Sequence, residues 1–159
     1  MTNISNSSLD LKYYMIYIES HEGRQNIVYK DNKGNKTVGV GHLITDDTYQ
    51  YGDNVPDEDV DYFFIKDINI TLIKAKKSFK KFDSYPLYVR AAIMDGIFRG
   101  DLSGSPKTIT LINSDKWETA AGEYLNNSEY RESEESASGI WKRMMENSYH
   151  FANYAEELS

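Results

Sequence analysis

Two carboxylates and a hydroxyl fall close together near the beginning of the chain, within the segment His21–Thr45. Glu22 follows an apolar-periodic segment and precedes Gly23, a residue suited to the C-terminus of a helix. Asp31 ends a short β-prone run, and Thr37 lies at the start of the next one. Hydrolysis of a glycosidic bond needs such groups: an acid for the leaving oxygen, and a base with a partner that positions a water.

The same two carboxylates have an ordinary structural interpretation. Glu22 would be a charge at a helix end and Asp31 a turn residue, since aspartate next to a turn is common. Taken alone, the chemistry of these residues favours the structural interpretation over the catalytic one.

A helix and a β-hairpin are predicted to position these groups. Ser7–Asp10 has the form of a helix-capping signal, and apolar residues follow it at helical spacing, which predicts a first helix over about residues 8–21. The runs Ile27–Lys30 and Lys36–Val40 predict two strands joined by a turn rich in asparagine and glycine.

The second predicted strand is expected to present one face to a ligand. Because side chains alternate along a strand, Thr37, Gly39 and Gly41 share a face. The two glycines on it predict that a large ligand approaches the backbone closely.

A long second helix is predicted after the hairpin. Pro56 is placed to be its first residue, with acidic residues in its first turn and lysines near its end, which suits the helix dipole. An apolar stripe at three- and four-residue spacing predicts a length of about twenty residues. Asp67 falls on this stripe, where an unpaired carboxylate would be unfavourable, so we expect it to have a partner. The remainder is predicted to be helical, with a glutamate-rich loop over Glu129–Ser136.

Composition restricts the classes of function. The chain has 159 residues, enough for one domain or for two lobes joined by a helix. It has no cysteine and three histidines, and Gln25 occupies the position where the H-E-x-x-H zinc motif needs its second histidine, so we expect neither a metal nor a cofactor. A formal net charge of −7 argues against nucleic acid as a partner. No apolar run is long enough for a membrane span, and the first residues do not form a secretory signal.

Around the two carboxylates the chain resembles a known family, the T-even-phage type of lysozyme, whose members are muramidases of glycoside hydrolase family 24. The resemblance is carried by Glu22-Gly23, by Asp31 nine residues after the glutamate, and by the motif T-x-G-x-G-H-L, which begins six residues further at Thr37. It implies a single lysozyme-like domain of the α+β class. A small N-terminal lobe with a β-hairpin or sheet would cover about residues 12–56, a joining helix about 57–80, and a mostly helical C-terminal lobe, on which the first helix packs, about 81–159.

The resemblance also implies roles for individual residues. Glu22 would be the catalytic acid, Asp31 the second carboxylate and Thr37 the residue that positions a water. His42 and Asp67 would form a structural ion pair. Four further residues would contact the substrate, although a core position is an equal alternative for the phenylalanine: Leu43, Phe98, Thr108 and Glu123.

The chain departs from the family pattern in its charge and at three positions. Thr108 stands where the family has a serine, and Glu123 where it has an asparagine. Ile140 stands where the family places an arginine near the catalytic acid, so the ion partner of that acid is open between Arg143, Arg131 and none. Phage lysozymes of this type are often basic, whereas this chain is acidic, which bears on wall affinity more than on chemistry.

The resulting expectation is a phage muramidase that hydrolyses the β-1,4 bond between N-acetylmuramic acid and N-acetylglucosamine in peptidoglycan, by an inverting mechanism. It would be a monomer, made in the host cytoplasm, that reaches the wall after holin-type release or as part of a virion. Two alternatives stay open. One is a lytic transglycosylase, which needs an acid but no second carboxylate or water; the other is a wall-binding or virion-structural module that contributes little catalysis.

Overall fold

The computed structural model of the protein describes residues 4–136 and 138–159. Along these residues a small sheet precedes a mostly helical remainder, which confirms the predicted α+β class. The elements follow in this order: α1 (Ile4–Glu22), β1 (Gln25–Lys30), β2 (Lys36–Gly39), β3 (His42–Leu43), α2 (Asp57–Ser78), a 3-10 helix (Phe82–Ser84), α3 (Leu87–Arg99), α4 (Pro106–Asn113), α5 (Trp117–Tyr124), α6 (Ser128–Ser136) and α7 (Ile140–Leu158).

The chain divides into two compact units, of which the first ends at Ile70 and the second covers Thr71–Ser159. The boundary falls within α2, the long helix that the sequence predicts. This helix begins directly after Pro56, whose carbonyl accepts the N–H groups of Asp59 and Val60. Of the helices in residues 4–136 and 138–159, none combines the length and the apolar character that crossing a membrane requires.

Two predicted element boundaries are wrong. α1 begins at Ile4, so Ser7–Asp10 lies inside the helix and does not start it. No glycine or proline precedes Ser7 within the helix, so nothing in that stretch stops the helix from extending upstream. The predicted glutamate-rich loop is the helix α6, which starts where the side chain of Asn127 accepts the N–H of Tyr130 at 2.8 Å, as an N-cap does.

The predicted hairpin is confirmed, and a third strand extends it. β1 and β2 are antiparallel with Tyr29 opposite Thr37, and β2 is antiparallel to β3 with Thr37 opposite Leu43. Val28 and Val38 point from this sheet into a small core that the fully buried Val60 of α2 completes. Each such valine stabilises the unit by about 1.5–3 kcal/mol relative to an exposed one.

The predicted alternation along β2 is wrong beyond Val38. Gly39 has φ +67° and Gly41 has φ +69°, so the backbone leaves the extended conformation at both positions. A Cβ on Gly39 would lie 2.8 Å from Cγ1 of Val60. Gly39 is therefore required for the close approach of the sheet to α2.

The second unit is built around α3, which is buried from Ala91 to Ile97. A helix that is apolar nearly all round belongs in a core. The one charged residue of that stretch is Asp95, and it has no exposed surface. Large buried aromatic side chains of α5 and α7 also belong to this core, namely Trp117, Tyr124 and Phe151.

A chain of buried hydrogen bonds crosses this second core. Arg143 binds Asp95 with two nitrogens, Nε to Oδ2 at 3.0 Å and one terminal nitrogen to Oδ1 at 2.8 Å. Asn147 also donates to Asp95 at 2.8 Å, and to the hydroxyl of Tyr124 at 3.4 Å. That hydroxyl in turn donates to Asp101 at 2.6 Å. These hydrogen bonds join α7, α3, α5 and the loop after α3, so they specify how these elements pack.

Candidate active site

Glu22 is the last residue of α1 and is half-buried. The helix ends there because Gly23 adopts a left-handed conformation, φ +74°, while its N–H donates to the carbonyl of Glu19 at 2.8 Å. The termination predicted from the sequence is therefore present, and it places a carboxyl at the point where the chain turns from α1 into β1.

Arg24 fixes this end of α1 to the beginning of α2. One terminal nitrogen lies 2.6 Å from Asp61, the other 3.8 Å from Asp57, and Nε donates to Glu19 at 3.3 Å. The Arg24 side chain is 27% exposed, so each bond contributes only modestly to stability. Together the bonds hold the residues beside Glu22 in one position. Sequence reasoning missed this residue, although an arginine directly after a helix-ending glycine is a visible signal.

Asp31 closes the hairpin turn through its side chain. Oδ1 accepts the N–H groups of Lys33 at 2.9 Å and Asn35 at 2.8 Å, and Oδ2 lies 3.5 Å from the side-chain nitrogen of Asn35. The N–H of Asn35 is the main cause that lowers the pKa of Asp31 below the ordinary aspartate value. Asp31 is consequently ionised at neutral pH, and the turn holds its side chain in place. It therefore also has the structural role of a turn residue.

Thr37 is almost fully buried, with 2% of its surface exposed. Its hydroxyl donates to the carbonyl of Asn35 at 3.0 Å. Since the one hydroxyl proton is used in this bond, Oγ1 can act towards a water only as an acceptor.

Tyr29 is the second residue that sequence reasoning missed. Tyr29 lies on β1, and Asp31 follows directly after the end of this strand. Tyr29 lines a pocket of about 310 Å³ together with Glu22 and Gly39. Burial raises the pKa of the Tyr29 phenol, and the charges of Glu22 and Asp31 raise it further. Both carboxylates therefore act on one phenol.

The predicted contact between His42 and Asp67 is confirmed. His42 Nδ1 lies 2.8 Å from Asp67 Oδ2, and both side chains are about a quarter exposed or less, at 21% and 24%. The imidazole also stacks on Phe63, with ring centroids 4.3 Å apart and planes 7° from parallel. The pair joins β3 to α2, and so it holds the sheet that carries Thr37. Next to it, Leu43 is 49% exposed on the short strand β3.

Three predicted substrate contacts belong to the second unit. Phe98 is half-buried near the C-terminus of α3. Glu123 is half-buried and lines a pocket of about 380 Å³ with Lys107 and Leu111. Thr108 has no exposed surface, and its hydroxyl has no hydrogen-bond partner among the described residues. A fully buried side chain cannot contact a sugar, so this conformation does not support the predicted role of Thr108.

The two arginines considered as ion partners of Glu22 both have partners within the second unit. Arg143 is held by Asp95, as described above, and Arg131 donates to the side chain of Asn126 at 3.2 Å. In residues 4–136 and 138–159 no group of three or more His, Asp or Glu side chains is arranged to hold a metal ion.

Comparison with known proteins adds no relative. No protein-family model matches the chain, and no curated protein matches its sequence. The family resemblance therefore depends on the residues between Glu22 and Leu43 and on the similar pattern of the later helices.

Proposed function

We propose that the protein is a muramidase of the phage-lysozyme type, which hydrolyses the β-1,4 bond between N-acetylmuramic acid and N-acetylglucosamine in peptidoglycan. The observation that carries the proposal is that Glu22, at the end of α1, lines a pocket together with Tyr29 of β1, and that the ionised Asp31 follows directly after this strand. Most glycoside hydrolases use a pair of carboxyl groups that flank the bond to be broken, and we propose that Glu22 and Asp31 are this pair.

In the proposed reaction Glu22 gives its proton to the glycosidic oxygen while the bond from that oxygen to the anomeric carbon breaks. Positive charge then develops on the sugar ring. Asp31 is ionised at neutral pH, because the turn N–H groups lower its pKa, and its charge stabilises the ring. A water attacks the anomeric carbon from the opposite face and gives one proton to Asp31, which releases it to solvent, and Glu22 is reprotonated from solvent before the next turnover.

Thr37 and Asp31 would together position that water. Because the Thr37 hydroxyl donates to Asn35, a water can donate one proton to Thr37 Oγ1 and the other to Asp31, which leaves a lone pair for the sugar. This is the inverting arrangement, and it requires room for a water between the acid and the base. The bonds that lower the pKa of Asp31 also make it a weak base, so we propose that its larger contribution is electrostatic.

The remaining expectations belong to the same proposal. Leu43, Phe98 and Glu123 are proposed to contact the glycan. The protein would reach the wall through a holin or as part of a virion, and would act as a monomer. The net charge of −7 predicts that wall binding is weaker towards anionic walls and depends on salt.

Digestion of purified peptidoglycan tests the proposal. Glu22→Gln removes the acidic proton and keeps the shape, so we expect the release of reducing ends to fall by about 100- to 10,000-fold. Glu58→Gln is the matched control, since it removes the same charge from an exposed position in the first turn of α2, and it should digest at the native rate. Equal rates for all three proteins would contradict the proposal.

One observation favours a second candidate, a lytic transglycosylase. The turn bonds to Asp31 explain the presence of this residue without any catalytic role. A transglycosylase would release anhydro-muramic ends, and it would keep its activity in Asp31→Asn. Wall binding without any released ends would instead indicate a binding or virion-structural module.

A further inference from the structure

The hydroxyl of Tyr29 is placed next to the proposed active site but has no structural task. It makes no hydrogen bond within residues 4–136 and 138–159, although the tyrosine is half-buried. Tyr49, also in the first unit, shows what a structural tyrosine does there: its ring lies against the core and its hydroxyl donates to Asp59 at 2.5 Å. Tyr29 thus differs from Tyr49 in presenting an unused hydroxyl to a pocket.

The chemistry of the pocket defines what this hydroxyl can do. Tyr29 and Glu22 line the same pocket, and Asp31 follows two residues after Tyr29, just beyond the end of β1. A phenol between two negative charges keeps its proton at neutral pH, so it can donate a hydrogen bond. A ligand that enters the pocket can supply the acceptor.

We propose that Tyr29 is a substrate-binding residue whose hydroxyl donates a hydrogen bond to a neutral oxygen of an N-acetylhexosamine held between Glu22 and Asp31. The acceptor is a hydroxyl or the N-acetyl carbonyl. The ring oxygen is unsuitable, because a donor there would oppose the positive charge that develops on the ring. This inference rests on the proposed function for the identity of the sugar, but the position of Tyr29 does not depend on catalysis.

The first test compares Tyr29→Phe with Tyr51→Phe in the digestion of peptidoglycan. Tyr51 is 55% exposed and lies in the same unit, so its variant controls for the loss of a tyrosine hydroxyl. Loss of a donor to the substrate should lower kcat/KM by about 10- to 100-fold in Tyr29→Phe and leave Tyr51→Phe at the native value. Thermal unfolding of both variants shows whether they fold, since the ring and its packing are kept.

The second test does not need activity. Tyrosine labelled with ¹³C at Cζ reports the ionisation of Tyr29 by NMR, and Tyr29→Phe assigns its signal. Glu22→Gln and Asp31→Asn should each lower the pKa of Tyr29, because each removes a negative charge that raises it. Addition of tri-N-acetylchitotriose to Glu22→Gln should shift the Tyr29 signal and leave the Tyr51 signal unchanged.

The outcomes separate this inference from the proposed function. If native protein digests peptidoglycan, Tyr29→Phe digests it equally well and the sugar does not shift the Tyr29 signal, then Tyr29 has no substrate role although the muramidase proposal stands. If native protein releases nothing but tri-N-acetylchitotriose shifts Tyr29, then the sugar contact stands and the muramidase proposal fails. An unchanged pKa of Tyr29 in both carboxyl variants would overturn the placement of Tyr29 between them.

Discussion

Asp31 and Thr37 of the first unit are held differently from Asp95 of the second unit. In the first unit main-chain atoms hold the proposed catalytic groups: N–H groups of the turn bind Asp31, and a turn carbonyl binds Thr37. In the second unit side chains hold one another, as Arg143 and Asn147 hold Asp95. Groups bound by the backbone keep atoms available for a substrate, whereas the buried side-chain bonds of the second unit are fully used in packing.

The two kinds of aspartate also differ in their acidity. Hydrogen bonds from the turn lower the pKa of Asp31. Burial raises the pKa of Asp101 in the second unit, and bonds from Tyr124 and Arg99 only partly oppose this effect. The first arrangement favours an ionised group for chemistry, and the second tolerates a charge for the sake of specific packing.

The largest expected effect is on the second unit. Asp95→Ala leaves the buried guanidinium of Arg143 without this carboxylate, and we expect the free energy of unfolding to fall by about 3–5 kcal/mol. Urea denaturation measures this change. The double variant Asp95→Leu with Arg143→Met removes both charges, and it should recover much of the loss. A loss below about 1 kcal/mol for Asp95→Ala would break the comparison, since it would show that the second unit does not depend on this pair.

A somewhat smaller effect is expected from the backbone of the first unit. Gly39→Ala forces a side chain into a left-handed conformation and towards Val60, so it should destabilise the protein by about 2–4 kcal/mol. Gly52→Ala is the matched control: Gly52 has φ +88°, but a Cβ there would meet nothing within 4 Å. Gly52→Ala should lower the free energy of unfolding by only about 1–2 kcal/mol, because it has the strain of the left-handed backbone but no contact with a neighbour. Equal losses in the two variants would show that the approach to Val60 is not tight.

The partly exposed bonds of Arg24 should matter less for stability. Arg24→Met removes three ion pairs at the junction of α1 and α2, and we expect a loss of about 1 kcal/mol. Lys66→Met, at an exposed position of α2, should change stability less than this. Because Arg24 holds the residues beside Glu22, its variant should also digest peptidoglycan more slowly than Lys66→Met. A variant of Arg24 with native activity would show that this anchoring is not needed for the reaction.

The smallest effects concern pH, and they have opposite signs in the two units. The folded-state pKa of Asp31 is lowered, so its stabilising contribution is present above the unfolded value of 3.8 and is lost as pH falls through the folded value. The pKa of Asp101 is raised, so its ionisation destabilises the folded protein. This loss of stability develops as pH rises above 3.8. Urea denaturation at several pH values gives the free energy of unfolding as a function of pH. Asp31→Asn should remove a contribution that rises with pH, and Asp101→Asn should remove one that falls with pH. Slopes of the same sign would contradict the comparison.

Local patterns in the sequence predict the first unit better than the second. The hairpin and α2 follow from alternation, turn residues and an apolar stripe, each of which acts over a few residues. Two predictions fail in the first unit. The alternation along β2 fails because Gly39 and Gly41 leave the extended conformation, and the start of α1 fails because the helix extends upstream of Ser7. The contact of His42 with Asp67 spans 25 residues and was predictable because a family motif supplied it.

Apart from Arg24, the groups that sequence reasoning missed lack such local signals. Tyr29 resembles any strand-forming tyrosine until its position between two carboxylates is known. The bonds of Asp95 to Arg143 and Asn147 span 48 and 52 residues, and nothing in the sequence pairs these positions. α6 is polar enough to resemble a loop, and its start depends on the side chain of Asn127.

The most direct test of the central claim is the configuration of the ends that the protein releases. ¹H NMR during digestion of a defined peptidoglycan fragment by native protein distinguishes the two anomers before they interconvert. The account predicts α-anomers at new reducing ends, because a water held by Thr37 and Asp31 attacks from the face opposite the leaving oxygen. New β-anomers would contradict this account, since they require a covalent or otherwise retained intermediate, and anhydro ends would contradict it because they require no water at all.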